Sequence, residues 1–241
     1  MSNKTFADFC DITLNLHEQL IVNGRRDPNE TFYKSLPICI VDAVFSIGVN
    51  YKSVERATSA FMSHFHLNIS RSTAGENEYT IRDFLKSMNS FTSFEEAAEF
   101  GFCNRQRTSS RGGILKAEAC YHVAKVFEKH GIDTLGDFNA YPNKSALDAD
   151  ICNVKGQGSG IMLKYLYMLA GKADEVKPDR HVISFMTIAF PQLTMDVKHH
   201  EWLKTEMEEA VKVLQPKYPQ LTVRFLDFLI WEYQSKNATI N

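Results

Sequence analysis

The sequence predicts an all-α protein, and three features carry this prediction. Apolar residues recur at the 3.6-residue spacing of amphipathic helices in nearly every periodic segment. No segment alternates strictly between apolar and polar residues, as a half-buried strand would. Helix ends are marked by local signals, namely Thr5 with Asp8, Ser93 with Glu96, Thr222 as a cap, and Gly131 as a stop.

Three apolar stripes show the helical repeat and are interpreted as core. They comprise Val54, Ala57, Phe61 and Phe65; then Ala117, Cys120, Ala124 and Phe127; then Phe225, Leu226, Leu229, Ile230 and Tyr233. Polar linkers are predicted at residues 68–79 and 104–113. The chain has 241 residues, 44% of them hydrophobic, which is enough for one sizeable core or for two lobes.

Charge and cysteine content limit the functional classes. The formal net charge of −2 argues against a protein that coats nucleic acid by bulk electrostatics. Residues 101–181 hold 12 Lys/Arg against 9 Asp/Glu, a local charge of +3, whereas the flanking segments are negative. Five scattered cysteines without a CxxC pair fit a reducing compartment. No apolar run is long enough for a signal peptide or a membrane span, so a cytoplasmic protein without a membrane partner is expected.

The most informative segment runs from Asn153 to Val182. Lys155, Gly156, Gln157, Gly158, Ser159 and Gly160 form a glycine-rich turn that leads directly into an apolar helix predicted to extend to Ala170. Ser159 is predicted to cap this helix. Because the first amides of a helix lack internal partners, such a turn can bind a phosphate.

Asp179 follows the end of that helix and has two interpretations. Its position after Pro178 and before an apolar run is typical of a helix N-cap. A carboxylate held near a phosphate-binding turn is also a candidate catalytic group. The two roles can coexist, because a capping aspartate is held rigidly.

The turn and the aspartate together resemble the helix-hairpin-helix DNA glycosylases. Val154 to Ile161 matches the glycines of that family's hairpin, with Lys155 in place of the usual proline. Pro178 to Val182 matches the family's Val-Asp-x-His-Val segment, with Pro178 in place of valine. A fainter resemblance to the family's early helix, loop and helix covers residues 42–54.

The resemblance implies a fold and an activity. The fold would have two helical lobes, residues 31–174 forming a six-helix-barrel-like lobe that includes the hairpin, and residues 1–30 with 175–241 forming the second lobe. The helix-hairpin-helix would lie at the edge of the interlobe cleft. Asp179 would stabilise positive charge on the sugar while the N-glycosidic bond of a flipped-out, damaged or modified base is hydrolysed. The partner would be double-stranded DNA, and the protein a monomer.

Strand cleavage requires an amine that the hairpin lacks. Family members with lyase activity carry a lysine two residues after the second hairpin glycine, where it forms a Schiff base with the sugar. That position is Gly160, so a monofunctional glycosylase is predicted. Two alternatives stay open: a DNA-binding protein without turnover, and a bifunctional glycosylase/lyase that uses another lysine, such as Lys155, Lys164 or Lys177.

Other candidate DNA contacts have simpler structural interpretations as well. Arg105, Arg107 and Arg111 lie among hydroxyls and glycines and suit phosphate binding, but the same loop could be merely solvated. Trp231 could stack on a flipped base or belong to a helical core stripe. His181 could orient Asp179 or touch a phosphate. The resemblance places Asn50 and Tyr51 near the base. Asp42 and Asp227 are acids inside apolar helices, which could be buried with a raised pKa or paired to a backbone amide or a base edge; structural pairing is favoured for both.

Metal and nucleotide chemistry are not predicted. His199, His200 and Glu201 are adjacent on a helix and cannot readily share one ion, and no HExxH spacing occurs. Ile161 stands where a dinucleotide-binding turn needs its third glycine. No cysteine follows Cys152, so the family's C-terminal iron–sulfur site is not expected. No cofactor is expected, apart from a monovalent cation at the hairpin carbonyls, which the resemblance implies.

Overall fold

The computed structural model describes residues 5–25, 33–67, 78–171, 176–194, 196 and 199–237. Within these residues the protein is predominantly helical, which confirms the all-α prediction. The helices are α1 (Phe6–Thr13), α2 (Leu36–Phe45), α3 (Tyr51–His64), α4 (Ile81–Met88), α5 (Phe94–Glu96), α6 (Lys116–Lys129), α7 (Leu135–Ala140), α8 (Lys144–Cys152), α9 (Ile161–Leu169), α10 (Arg180–Ala189), α11 (His200–Leu214) and α12 (Val223–Asn237). Short π-helical turns occupy His17–Val22 and Ala97–Gly101.

The chain divides into two compact units. We call Thr31–Ala170 the central unit, and Met1–Glu30 together with Gly171–Asn241 the terminal unit. Each has its own cluster of buried apolar side chains. The boundary falls between α9 and α10, so the glycine-rich turn belongs to the central unit and Asp179 to the terminal unit.

The central unit is built around α2, whose ten residues are all buried. Helices α3, α4, α6 and α9 pack against it. Rings from three segments stack beside it, with centroids 5.1 Å apart for Phe45 and Phe102 and 4.7 Å apart for Phe61 and Phe102. Burial of each such side chain contributes about 1.5–3 kcal/mol to folding. Helix α2 is therefore the centre of this core, because all of its side chains are buried and four helices pack on it.

The terminal unit packs α10 against α12 and α1 against α11. Phe185 of α10 contacts aromatic rings from two other helices of this unit. Its ring centroid lies 5.2 Å from that of Phe9 and 6.0 Å from that of Tyr233. Tyr218 is fully buried, and its hydroxyl donates to Oδ1 of Asp11 at 2.6 Å. The three predicted stripes are confirmed as core, with Phe65 and Tyr233 only partly buried at the stripe edges.

Most predicted helix ends are confirmed. Thr5 and Asp8 form a reciprocal capping box, Thr222 Oγ1 accepts from the amide of Phe225, and Gly131 follows α6 with a φ of +69°. The Ser93 box is only half formed: Ser93 Oγ accepts from the amide of Glu96, but the Glu96 carboxylate binds Thr92 instead. Of the predicted linker 68–79, residues 68–77 lie outside the described residues.

No helix among the described residues is long and apolar enough to cross a membrane.

Candidate nucleic-acid interface and active site

The glycine-rich turn joins α8 to α9 and differs in register from the prediction. The N-cap of α9 is Gly160, not Ser159, and the helix ends at Leu169 instead of Ala170. Ser159 Oγ reaches the amide of Ile161 only at 3.5 Å. Gly160 has a φ of +72°, a left-handed conformation that delays the helix start by one residue.

The turn requires glycine at two positions. One, Gly156, is a glycine of the hairpin that the chain resembles, but the other is Gly160 and not the second hairpin glycine, Gly158. Gly156 has a φ of +90° and Gly160 a φ of +72°, whereas Gly158 has no positive φ. A β-carbon at Gly158 would meet only the carbonyl oxygen of Cys152, at an ordinary 3.7 Å. The backbone therefore needs glycine at Gly156 and Gly160, while Gly158 is sterically free to change.

Amide groups of the turn are open at the start of α9. The turn is closed by hydrogen bonds from the amide of Gln157 to the carbonyl of Val154 at 2.9 Å and from the amide of Gly160 to the carbonyl of Gln157 at 3.0 Å. Within the part of the chain that the structure describes, the amides of Gly158 and Ser159 donate to no protein acceptor. Lys155 is exposed beside them. These donors and this cation suit an anion.

The arginine loop, residues 104–113, is closed at its base by backbone pairing. The amide of Thr108 donates to the carbonyl of Ile114, and the amide of Lys116 to the carbonyl of Gln106, each at 2.8 Å. Arg107 Nη1 donates to the carbonyl of Gly113 at 2.8 Å, and Arg105 pairs with Glu99 at 2.7 Å. Arg111 is exposed and forms no ion pair with any described residue.

The arginine loop packs directly against the glycine-rich turn. A β-carbon placed on Gly156 would lie 2.4 Å from both Cβ and Oγ1 of Thr108. Real β-carbons do not approach that closely, so the absence of a side chain at Gly156 permits the contact. The two segments predicted separately to bind phosphate thus form one surface.

The base of the arginine loop is also tied to the segment between α2 and α3. Lys116 is buried, and its Nζ donates to the carbonyls of Phe45 and Ile47, each at 2.8 Å. Gln106 Nε2 and Asn104 Nδ2 reach Ser53 Oγ at 3.3 and 3.4 Å. The fold therefore brings the start of α3 to the same loop.

Asn50 and Tyr51 have structural roles at the start of α3. Asn50 is the N-cap, and its Oδ1 accepts from the amide of Ser53 at 3.1 Å. The hydroxyl of Tyr51 donates to Oδ2 of Asp42 at 3.3 Å, and the hydroxyl of Tyr33 donates to the same oxygen at 2.8 Å. Asp42 is fully buried, which confirms the prediction that it is buried and paired.

In the terminal unit, Asp179 is the N-cap of α10. Its Oδ1 accepts from the amides of His181 at 2.8 Å and Val182 at 3.1 Å. The capping interpretation is therefore confirmed. Both bonds fall on the same oxygen, and no hydrogen bond from a described residue reaches Oδ2. The half-buried carboxylate is held in one orientation with a second oxygen available.

His181 and Trp231 lie against each other beside this cap. Their ring centroids are 6.1 Å apart at an interplanar angle of 79°, and Trp231 stacks on Phe228 at 6.3 Å. Partial burial lowers the pKa of His181, against a smaller opposing effect of Asp179. His181 Nε2 accepts from Arg180 Nε at 3.4 Å, which fits a neutral ring. Trp231 is partly buried, so it is neither a pure core residue nor a fully exposed ring.

Asp227 of α12 supports the segment before α10 from within the core. It is 6% exposed, and its Oδ1 accepts from the amide of Lys177 at 3.3 Å. Burial raises the pKa of Asp227 well above the range usual for aspartate, and the nearby charge of Asp179 adds to the rise. Asp227 is thus both buried with a raised pKa and paired to a backbone amide, which confirms the favoured structural pairing.

Comparison with known families gives one match. A family model described as a domain of unknown function (DUF8548) matches residues 14–235. The chain belongs to this family. No curated protein and no solved structure matches it.

The match covers both units of this DUF8548 chain, so the arginine loop, the turn and the Asp179 cap all lie inside the family region. Sequence reasoning had missed three contributors to these sites. Thr108 and Lys116 were not singled out, because neither has a motif around it. His200 had been considered only as a metal ligand, but its Nε2 lies 3.2 Å from the carbonyl oxygen of Val176. The one signal in the sequence is that Lys116 stands between the apolar residues Leu115 and Ala117 directly after the arginine loop.

Proposed function

We propose that this protein is a monofunctional DNA glycosylase that hydrolyses the N-glycosidic bond of a damaged or modified base in duplex DNA. The observation that carries the proposal is the contact between Gly156 and Thr108. It joins the arginine loop and the glycine-rich turn into one surface that can hold the phosphate backbone. The resemblance to the helix-hairpin-helix glycosylases and the rigid Asp179 carboxylate supply the catalytic half of the proposal.

Phosphate binding follows from the donors on that surface. The open amides of Gly158 and Ser159 point to anion binding at the start of α9, and Arg111 and Lys155 add charge-assisted contacts. Arg107 contributes with its guanidinium partly engaged by the carbonyl of Gly113, and Arg105 must exchange its partner Glu99. Such contacts fix the register of the protein on DNA but read no sequence.

Catalysis would rest on Asp179. Breaking the bond between base and sugar develops positive charge on the sugar, and a fixed carboxylate stabilises that charge. Because two amides hold Oδ1, Oδ2 remains to face the sugar or to orient the attacking water. His181, uncharged by virtue of its lowered pKa, adds no positive charge that would neutralise this carboxylate.

A flipped base needs an aromatic surface, and Trp231 is the candidate. Its partly buried ring is braced by the stacked ring of Phe228 and by His181, whose ring is inclined at 79° to it. A braced ring can stack on an extruded base at little entropic cost. Asn50 and Tyr51 keep the place near the base that the resemblance implies. Asn50 Oδ1 also caps α3 by accepting from the amide of Ser53.

Strand cleavage is not part of the proposal, because Gly160 offers no amine that could form a Schiff base with the sugar.

A monovalent cation fits the turn as a structural ion. Gln157 is buried, and its Oε1 has no hydrogen-bond partner among the described residues. This oxygen and main-chain carbonyls of the turn would hold the ion, which would steady the turn against the phosphate.

A second candidate is a DNA-binding protein without turnover. The observation that favours it is the completeness of the Asp179 cap, since two hydrogen bonds to backbone amides explain an aspartate there without any chemistry. Both candidates use the same phosphate-binding surface. They differ only in whether Asp179 acts on the sugar.

Base release from DNA separates these candidates. Duplexes carrying a panel of damaged and modified bases would be incubated with the protein, and free bases detected by mass spectrometry. Asp179→Asn keeps the capping oxygen but removes the charge, so it should bind DNA normally and lose base release by about two orders of magnitude or more. Asp137→Asn is the matched control, because Asp137 also accepts helix-terminal amides but lies in the central unit.

The outcomes are distinct. Release by the wild-type protein and by Asp137→Asn, but not by Asp179→Asn, supports the glycosylase. Binding without release of any base supports the binding protein. Release that persists within about threefold in Asp179→Asn removes Asp179 from catalysis. Borohydride trapping of a protein–DNA adduct by the unaltered protein would indicate lyase activity through Lys155, Lys164 or Lys177.

A further inference from the structure

The segment before α10 is held by a buried polar clamp, which we define as His200, Asp227 and the backbone of residues 176–179. His200 Nε2 lies 3.2 Å from the carbonyl oxygen of Val176, with which it can form a hydrogen bond. Asp227 Oδ1 accepts from the amide of Lys177 at 3.3 Å, and the carbonyl of Lys177 accepts from the amide of Asp179 at 2.7 Å. A continuous chain of hydrogen bonds therefore links Asp227 to the backbone of Asp179.

We propose that Asp227 is a positioning residue for Asp179 and that it acts in its uncharged form. This inference rests on the proposed function, since it assigns a role in the same site. Asp227 fixes the backbone of Lys177, which in turn fixes the residue that caps α10. Its own side chain is buried in the terminal unit, with 6% of its surface exposed.

The charges around Asp227 explain why the uncharged form is the working one. Asp179 opposes its ionisation from the segment before α10, whereas Lys177 on that segment and Arg224 one turn earlier on α12 favour it. His181 on α10 has a lowered pKa and is uncharged near neutral pH, and His200 of α11 contacts the same segment. Burial outweighs the two cations, so the pKa of Asp227 lies well above its usual range.

Ionisation of Asp227 would disturb Asp179. A buried carboxylate needs hydration, and the packing of α10 on α12 would have to open to supply it. That opening would release the amide of Lys177 and shift the Asp179 carboxylate. Displacement of a catalytic group by about 1 Å can lower a rate by about 100-fold.

The test uses three variants of the full chain. Asp227→Asn keeps an acceptor for the Lys177 amide but cannot ionise. Asp227→Ala removes both properties. Glu206→Gln is the matched control, because Glu206 is another acid of the terminal unit whose pKa is raised by burial, but it lies on α11.

The first readout is the pH profile of base release. The wild type and Glu206→Gln should lose activity as the pH rises through the pKa of Asp227. Asp227→Asn should match the wild type within about threefold at neutral pH and lack this alkaline decline, whereas Asp227→Ala should fall about 10–100-fold at every pH. An alkaline decline that persists unchanged in Asp227→Asn would overturn the proposal.

The second readout needs neither DNA nor turnover. Carbon-13 NMR of the side-chain carboxyls in the free protein should show Asp227 still protonated well above the usual pKa range of aspartate. If Asp227 ionises within the usual pKa range of aspartate, the proposal is wrong even if bases are released. If no base is released but Asp227 is protonated, the proposed function fails, and the assigned clamp survives as a structural property.

Discussion

The N-termini of α9 and α10 are built in opposite ways. Helix α9 begins at Gly160 in a left-handed conformation, with no side-chain cap, and leaves the amides of Gly158 and Ser159 open among the described residues. Helix α10 begins at Asp179, whose carboxylate occupies two of its first amides. Every helix start carries unsatisfied donors. The start of α10 is therefore satisfied within the protein, whereas two amides just before the start of α9 have no acceptor among the described residues.

The difference extends to the supports of each helix start. The α9 turn is held by a steric contact between Gly156 and Thr108, which requires that a side chain be absent. The segment before α10 is held by two buried polar groups: Asp227 of α12 accepts from the amide of Lys177, and His200 of α11 lies within hydrogen-bond distance of the carbonyl of Val176. The α9 turn should therefore be destabilised by an added side chain, and the start of α10 by the loss of a hydrogen bond or a change of charge.

Substitution of Gly156 should give the largest effect on stability. Gly156→Ala combines a positive φ with a β-carbon 2.4 Å from Thr108, so it should destabilise the protein by about 2–4 kcal/mol. Gly158→Ala is the matched control and should change stability by less than about 0.5 kcal/mol, since its β-carbon has room. Urea denaturation measures both. Equal effects at the two positions would mean that the contact with Thr108 is not what the turn depends on.

Removal of positive charge beside α9 should weaken DNA binding in a salt-dependent way. The double variant Arg111→Gln with Lys155→Gln should lower affinity for all sequences alike and reduce the slope of log K against log salt by about 2. Lys86→Gln removes an exposed charge elsewhere in the central unit and should leave the slope unchanged. Fluorescence anisotropy over a salt series measures the slope. An unaltered slope in the double variant would place the phosphate contacts elsewhere.

Loss of the α10 cap should give the smallest effect. Asp179→Ala removes two hydrogen bonds to backbone amides and should cost about 1 kcal/mol, whereas Asp179→Asn should stay within a few tenths. Thermal or urea unfolding of the two variants provides the comparison. A large loss of stability in Asp179→Asn would show that the charge of Asp179, and not its capping oxygen, holds the start of α10.

Local features of the fold could be predicted from sequence, because local interactions create them. The Thr5 box, the Thr222 cap and the stop at Gly131 each depend on residues within one helical turn, and all three are confirmed. The Ser159 cap was wrong because the sequence does not reveal that Gly160 adopts a left-handed conformation. A run of three spaced glycines leaves the choice among registers open.

The candidate sites depend on contacts between distant segments, which no local pattern contains. Arg107 and Gly156 could both be recognised as phosphate-binding types, but the packing of Thr108 on Gly156 required the fold. In the same way, Asp227 could be predicted to be buried and paired, but not that its partner is the amide of Lys177. Residue chemistry indicated the participants, and tertiary structure decided which of them meet.

Lys116 sets the flexibility of the arginine loop. Its ammonium group binds two carbonyls at the end of α2, next to the most deeply buried helix of the central unit, so the base of the loop cannot move independently of the core. The tip is closed by a further hydrogen bond, from Ser109 Oγ to the carbonyl of Arg111 at 3.0 Å. Fixing the backbone of one residue costs about 1–2 kcal/mol in conformational entropy. Anchoring by Lys116 thus shifts part of that entropic cost from binding to folding, so that under the proposed function DNA would meet a loop whose base is ordered in advance.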